Sequence, residues 1–274
     1  MKWLLLDMSY LAYRAFFTTG HLSYNEVKTG VIYGLMRDIS NFQADFRTSH
    51  FAFCFDVGKS KRIEIDPQYK ANRHKERPEE EIEALQELRS QLKRMRKEYL
   101  TEIGYKNIFW QVGYEADDII ASIVRHSLPA VDEAIIISGD QDLYQLLQPN
   151  VTIWHPSRRQ TITLQSFRKE YKISPTEWKT VKALSGCSSD NIKGIHGVGE
   201  KTAIKYIRNE LPKNSKSLKI ILENADVKER NLQLVELPYA GTKKFNLVDD
   251  AQDTAGWERI TQRFGMKSLR KAIR

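Results

Sequence analysis

Ala134-Ile135-Ile136-Ile137-Ser138-Gly139-Asp140 is an unbroken apolar run that ends in a turn and an acid. Such a run suits a strand buried on both faces, as in a parallel sheet covered by helices on each side. The pattern recurs along the chain. Trp3 to Leu6 leads into Asp7 and Phe51 to Phe55 leads into Asp56, while Asn107 to Trp110 and Val151 to Trp154 give two further runs. Between them, residues 29–46, 79–103 and 115–126 carry apolar side chains at helical spacing. Strand and helix in alternation predict an α/β fold with a central, mostly parallel sheet flanked by helices. Ligands of such sheets bind beyond the carboxyl ends of the strands. Asp7, Asp56 and Asp140 all fall at that edge.

The acids there have a shared chemistry. Mg²⁺ prefers carboxylate and water oxygens. Phosphodiester hydrolysis commonly uses two such ions about 4 Å apart, which requires carboxylates converging from several elements. The chain offers Asp7, Asp56, Glu115, Asp117, Asp118, Asp140, Asp142 and Asp190. Glu115-Ala116-Asp117-Asp118 precedes Ile119, Ile120, Ile123 and Val124, so the acids occupy the first turn of a helix whose continuation is buried. Glu115 and Asp118 share a face and Asp117 points roughly 100° away. Singly, each acid is explained as a cap or as a dipole-stabilising residue. Four such explanations at one sheet edge are a weaker account than one site.

The partner implied by charge is a polyanion. The 274 residues hold 43 Lys and Arg against 35 Asp and Glu, a formal charge of +8. Ile82, Leu85, Leu88, Leu92, Met95 and Tyr99 form one helical stripe, and Arg89, Lys93, Arg94, Arg96 and Lys97 load its later half. With the basic stretch from Lys59 to Lys75 they read as a phosphate-facing surface. Tyr69-Lys70-Ala71-Asn72-Arg73 places two cations where charge on a scissile phosphate would need stabilising. No membrane is implied, because no exposed, strongly apolar helix organises the basic residues and no run approaches a membrane span. Two cysteines, Cys54 and Cys187, without zinc spacing and without a leader, fit a reducing cytoplasm.

Beyond residue 165 the pattern turns helical, which divides the chain into residues 1–165 and 166–274. Ser174-Pro175-Thr176-Glu177 has the cap, the proline and the N3 glutamate of a helix start, and Gly186 its end. Gly194 to Ala203 reads as a helix–hairpin–helix, with Lys193, Lys201 and Lys205 around glycines that let backbone approach a phosphate. Residues 211–245 are Lys- and Asn-rich and are expected to contain a long connection.

These stretches together resemble the 5′ nuclease family: the 5′→3′ exonuclease domain of DNA polymerase I, bacteriophage 5′ exonucleases and flap endonucleases. The resemblance rests on Leu6 to Ala15, Phe55-Asp56, Tyr69 to Arg73, Glu115 to Asp118, Ser138 to Leu143, and Ser188 to Ile192 through Gly199 to Ala203, in family order. It implies a PIN-like sheet, a helical arch over roughly 66–105, and a helix-three-turn-helix element over roughly 174–210 whose hairpin holds K⁺. By the resemblance, Asp7, Asp56, Glu115 and Asp117 centre on a first Mg²⁺ (or Mn²⁺), and Asp118, Asp140, Asp142 and Asp190 complete the cluster. Lys70 and Arg73 would touch the scissile phosphate, with Asp117 the third catalytic residue. Arg14, Tyr69, Lys93, Arg96, Lys193, Gly197, Gly199, Lys201 and Thr202 would line the DNA path. The implied substrate is DNA with a 5′ end or flap, cut by a monomer acting in trans with a separate polymerase, in a bacterial cell or a phage-infected host.

Two positions depart from the family. Met8 stands where glycine is common. Gly186-Cys187-Ser188-Ser189-Asp190-Asn191 has cysteine where relatives carry an aspartate, and a thiol is a poor ligand for hard Mg²⁺. That leaves open whether the second site is weak, absent, completed by water and Asp190, or suited to a softer metal. The rival readings are a flap- or junction-binding module with weakened catalysis, and a PIN-like ribonuclease.

Overall fold

The computed structural model describes residues 1–74, 77–130 and 132–269; Lys75 of the basic stretch lies outside them. In chain order the elements are β1 (Lys2–Asp7), α1 (Met8–Thr19), the hairpin β2 (Ser23–Tyr24) and β3 (Val27–Lys28), α2 (Gly30–Phe46), β4 (His50–Val57), α3 (Glu79–Arg94), α4 (Leu100–Glu102), β5 (Ile108–Val112), α5 (Ala116–His126), β6 (Glu133–Ile137), β7 (Val151–His155), β8 (Gln160–Ile162), α6 (Leu164–Tyr171), α7 (Trp178–Ser185), the ribbon β9 (Gly186–Cys187) and β10 (Ile192–Lys193), α8 (Glu200–Ile207), α9 (Lys216–Glu223), α10 (Ala225–Val235) and α11 (Thr254–Arg263).

The sheet order is β5-β4-β1-β6-β7-β8. Every pairing is parallel except β7 with β8, a short antiparallel edge strand that the apolar runs do not announce. β1 shows why those runs are continuous. Trp3 and Leu5 join a core with α5, α6, α7 and α8 on one face, while Leu4 and Leu6 join α1, α2 and α11 on the other. A strand covered on both sides has no solvent-facing position to fill with polar residues. The first of these cores takes in Ala134 and Ile153 as well as Trp178, Ile195 and Leu237, so it crosses residue 165 without a break.

The 66–105 region is more firmly attached than its basic composition suggests. Leu85, Leu88, Met95 and Tyr99 are buried, and Gln91 Oε1 accepts hydrogen bonds from Val31 N (3.0 Å) and Ile32 N (3.1 Å), satisfying the free amides that start α2. Ile82, the first member of the apolar stripe, is exposed. Within the described part of 66–105, the longest continuous exposed run is residues 78–83, while Tyr69 before it and Leu85 after it are buried against the body. A π-helical turn at Met95–Tyr99 separates α3 from α4.

The 211–245 stretch is mostly helical, with irregular chain from residue 236. It contains α9 and α10, and Asn231 fastens α10 by donating to Ala183 O (2.8 Å) and Lys193 O (2.9 Å). The irregular part comes later and lines the β5 edge. There Asn107 Nδ2 donates to Val248 O (2.7 Å) and its Oδ1 accepts from Val248 N (2.9 Å).

Candidate active site

The carboxyl edge of the sheet gathers acids because strands β1, β4 and β6 all end there. Asp7 closes β1 and caps α1: its Oδ1 accepts from Tyr10 N (2.9 Å) and its Oδ2 from Ser138 Oγ (2.9 Å) beyond β6. Asp56, near the end of the neighbouring β4, accepts from Ala116 N (2.6 Å), which fixes the first turn of α5 and so the position of Asp117. Asp140 caps the 3₁₀ turn Gln141–Leu146, accepting from Asp142 N (2.8 Å).

Electrostatics show that these acids face one another. Burial, reinforced by Asp56 and Asp140, pushes Asp7 up to about 7. Desolvation and then Asp140, Asp7, Asp56 and Glu115 raise Asp117 well above the usual carboxylate range. Asp56 is raised by desolvation and by Glu115, though its carboxylate still opens on to the cleft. Buried like charges of this kind favour protonation unless a cation joins them. The donor set is hard oxygen throughout, which fits Mg²⁺ or Mn²⁺.

Glu115 differs from its neighbours. Burial pulls it upward, but the Lys70 and Arg62 cations more than offset this and hold it below the usual range. Lys70 Nζ lies 2.8 Å from its Oε2, and the Tyr69 hydroxyl donates to the same oxygen at 3.0 Å. Lys70 achieves this from a left-handed backbone (φ 56°), a conformation uncommon for a side chain of its size. Its amide donates to Asp190 O (2.8 Å), while Asn72 Nδ2 donates to Ser188 O (2.9 Å) and Asn191 Nδ2 to Gln68 O (2.8 Å). The Lys70–Arg73 loop is thereby stitched to the loop carrying Asp190.

Two assignments from the sequence need correction. Asp118 was placed among the metal ligands, but it is fully buried and both its oxygens are occupied. Arg62 grips them through Nη1 (2.8 Å) and Nη2 (2.7 Å), and Glu115 N (3.0 Å) and Tyr239 N (2.8 Å) add two more donors. Asp118 is an anchor for the site, not a wall of it. Tyr69 was placed on the DNA path, but its ring is buried with Ala183, Ile192, Leu234 and Val235, so only its hydroxyl acts, on Glu115.

A second cluster sits beside the first. One donor atom each from Asp142, Cys187 and Asp190 lies within 4.8 Å of the others. Cations already attend it: Arg73 Nη2 is 2.7 Å and Lys70 Nζ 3.8 Å from Asp190 Oδ1, and Lys182 Nζ is 3.2 Å from Asp142 Oδ1. Burial and Asp140 push Asp142 up to about 7 despite Lys182. The thiol in this set does not fit Mg²⁺. Spacing along the chain gives no sign of Arg62 or Lys182, which are two of 43 basic residues until folding brings acids to them.

The remaining residues named from the sequence scatter. Arg14 is committed to the buried Asp38, 2.5 Å away. Arg96 is half-buried over the Trp110 ring (5.0 Å), and Lys93 is exposed on α3. Lys193, Gly197, Gly199 and Lys201 are exposed around the turn into α8, with Thr202 half-buried behind them. A side chain added at Gly197 or Gly199 would meet no protein atom within 4 Å. Gly197 needs its positive φ (79°), but Gly199 does not, so nothing among the described residues demands glycine at 199.

Comparison with known proteins agrees with this geometry. A family profile described as "5′-3′ exonuclease, N-terminal resolvase-like domain" matches residues 2–172. The 5′-3′ exonuclease of Buchnera aphidicola is 31% identical over 240 residues, covering 81% of this chain and 80% of that one. DNA polymerase I of Bacillus caldotenax is 34% identical over 215 residues, 76% of this chain; the chain spans 23% of that much longer relative. Among solved structures, the flap endonuclease of bacteriophage T5 in complex with DNA and metal ions aligns with a TM-score of 0.74 at 25% identity, covering 87% of this chain and 90% of that one.

Proposed function

The chain belongs to the 5′-3′ exonuclease family, and from that premise we propose that it is a metal-dependent, structure-specific 5′ nuclease hydrolysing DNA phosphodiester bonds near single-strand/duplex junctions. The observation that carries this reading is the convergence of Asp7, Asp56, Asp117 and Asp140 at one sheet edge, where burial and neighbouring carboxylates raise Asp7 and Asp117 above the usual carboxylate range. Asp7, Asp56, Glu115, Asp117 and Asp140 would hold Mg²⁺, with Mn²⁺ as a substitute. Such an ion, when bound, supplies an acidified water and neutralises phosphate charge.

The chain's own groups do the rest. Asp7 and Asp117, raised by burial and by neighbouring carboxylates, would ionise fully in the presence of the cation, any displaced proton leaving to solvent. Lys70 and Arg73 exchange their present carboxylate partners for the scissile phosphate and stabilise the charge that develops on it. Arg62 and Asp118 hold the start of α5 so that Asp117 and Glu115 keep their aim. The convergence of these hard-oxygen acids favours an enzyme over a module that only binds junctions.

Duplex DNA would lie against the turn into α8. Gly199 leaves room there for a phosphate, and Lys193 and Lys201 flank it. We assign a K⁺ ion to the same hairpin, and the exposed start of α3 to an arch over the 5′ strand. The protein would act as a monomer beside a separate polymerase, in the cytoplasm of a bacterium or a phage-infected cell. The test is a labelled 5′-flap duplex incubated with Mg²⁺ or Mn²⁺. Cleavage is expected, and its loss in Asp117→Ala. No cleavage with either ion, or undiminished cleavage by the variant, would overturn the reading.

A further inference from the structure

We propose that Asp142, Cys187 and Asp190 form a mixed thiolate–carboxylate site that takes a thiophilic divalent ion of the Zn²⁺ and Cd²⁺ class in preference to Mg²⁺. The inference concerns the second cluster of the nuclease proposed above and rests on that reading only for its biological use.

Three observations converge. The donor atoms of the three residues lie within 4.8 Å of one another, close enough to share one ion. Asp142 is 8% exposed, and its Oδ1 is buried without a well-aligned hydrogen bond. Its near neighbour is the Lys182 ammonium, 3.2 Å away. Cys187 is half-buried, with Ser189 Oγ 3.0 Å from its sulfur, so the thiol is reachable but held. The two-residue ribbon fixes it, since Cys187 pairs with Ile192.

Competition decides the selectivity. A dication entering here must displace Lys182 from Asp142, and Arg73 from Asp190. A hard ion such as Mg²⁺ gains two carboxylates in return and nothing from sulfur. A thiophilic ion gains a metal–sulfur bond as well, which Mg²⁺ cannot match. As the metal–sulfur bond forms, the S–H bond breaks and its proton leaves to solvent, together with any proton held by Asp142.

The probes are the metals alone. Cys54 is fully buried, so a thiol-alkylating reagent applied to the folded protein reports on Cys187. Zn²⁺ at ten times its dissociation constant is expected to slow alkylation about tenfold, and Mg²⁺ at millimolar concentration to leave the rate unchanged. Cd²⁺ should produce a thiolate charge-transfer band that Cys187→Ser and Cys187→Asp both abolish, with Cys187→Asp gaining Mg²⁺ affinity. Alkylation indifferent to Zn²⁺, or a band that survives Cys187→Ser, would overturn the proposal. Flap cleavage by the wild-type protein in Mg²⁺ is scored separately, so failure of the thiolate site is distinguishable from failure of the nuclease reading.

Discussion

Asp117 and Asp118 are neighbours in the chain, and the structure predicts opposite responses to the same substitution. Asp118→Asn removes the charge from a fully buried carboxylate gripped by two Arg62 nitrogens at 2.7 and 2.8 Å and by two backbone amides. Breaking a buried ion pair costs about 3–5 kcal/mol. Glu115, 3.7 Å from Arg62, still offers a counter-charge, which puts the loss near the lower end, about 3 kcal/mol. In a chain of this size that lowers Tm by roughly 6–12 °C. Asp117→Asn does the reverse. It removes a charge that desolvation and three neighbouring aspartates oppose, so the metal-free protein is expected to melt at the same temperature or higher. Differential scanning fluorimetry with and without Mg²⁺ separates the two. Asp118→Asn should keep a Mg²⁺-induced rise in Tm on a lowered baseline, and Asp117→Asn should lose the rise on an intact one. If Asp118→Asn instead left the baseline unchanged and erased the Mg²⁺ response, Asp118 would belong in the metal shell and the account of Arg62 would fail.

Further outcomes follow from the same geometry. Asp7 is raised from 3.8 to about 7; a carboxyl raised on folding contributes stability that is complete below its unfolded value and lost as pH rises through its folded one. At about 1.4 kcal/mol per pH unit the whole change is roughly 4 kcal/mol, of which about 2 kcal/mol falls above pH 5.5, so metal-free protein should be less stable at pH 8 than at pH 5.5 by about that amount, Mg²⁺ should restore the difference only at the higher pH, and Asp7→Asn should flatten the profile; equal Mg²⁺ stabilisation at both pH values would contradict this. Lys70→Met should lower single-turnover flap cleavage by about 10²-fold, with flap affinity changed much less, as expected for a group acting on developing charge; a loss confined to affinity would make Lys70 a positioning contact. Gln91→Leu orphans the amides of Val31 and Ile32 and should cost about 2 kcal/mol in denaturant unfolding, accompanied by faster hydrogen exchange across Glu79–Arg94; unchanged exchange would show that α3 is held by its apolar stripe alone.

What could be read in advance was whatever local pattern determines. Strand runs that end at Asp7, Asp56 and Asp140 reveal the sheet edge because a strand covered on both faces must stop being apolar where it meets the cleft. The start of the helix at Ser174 was legible for the same reason: its capping box is complete within four residues. The roles of Asp117 and Asp118 were not legible. Helical geometry shows that they point apart, but which one is left without a cation depends on Arg62, 56 residues away from Asp118 in sequence. Lys182 is hidden in the same way: only folding sets it against Asp142, across the gap between a helix and a 3₁₀ turn. Helices α9 and α10 were missed because they are short, eight and eleven residues, and the Lys- and Asn-rich composition around them reads as a connection. The acids that hold an ion and the acids that hold the protein are the same residue types in the same motif. Only their partners distinguish them: Asp117, surrounded by carboxylates, is left for a cation, and Asp118, with both oxygens held by the buried Arg62, already has one.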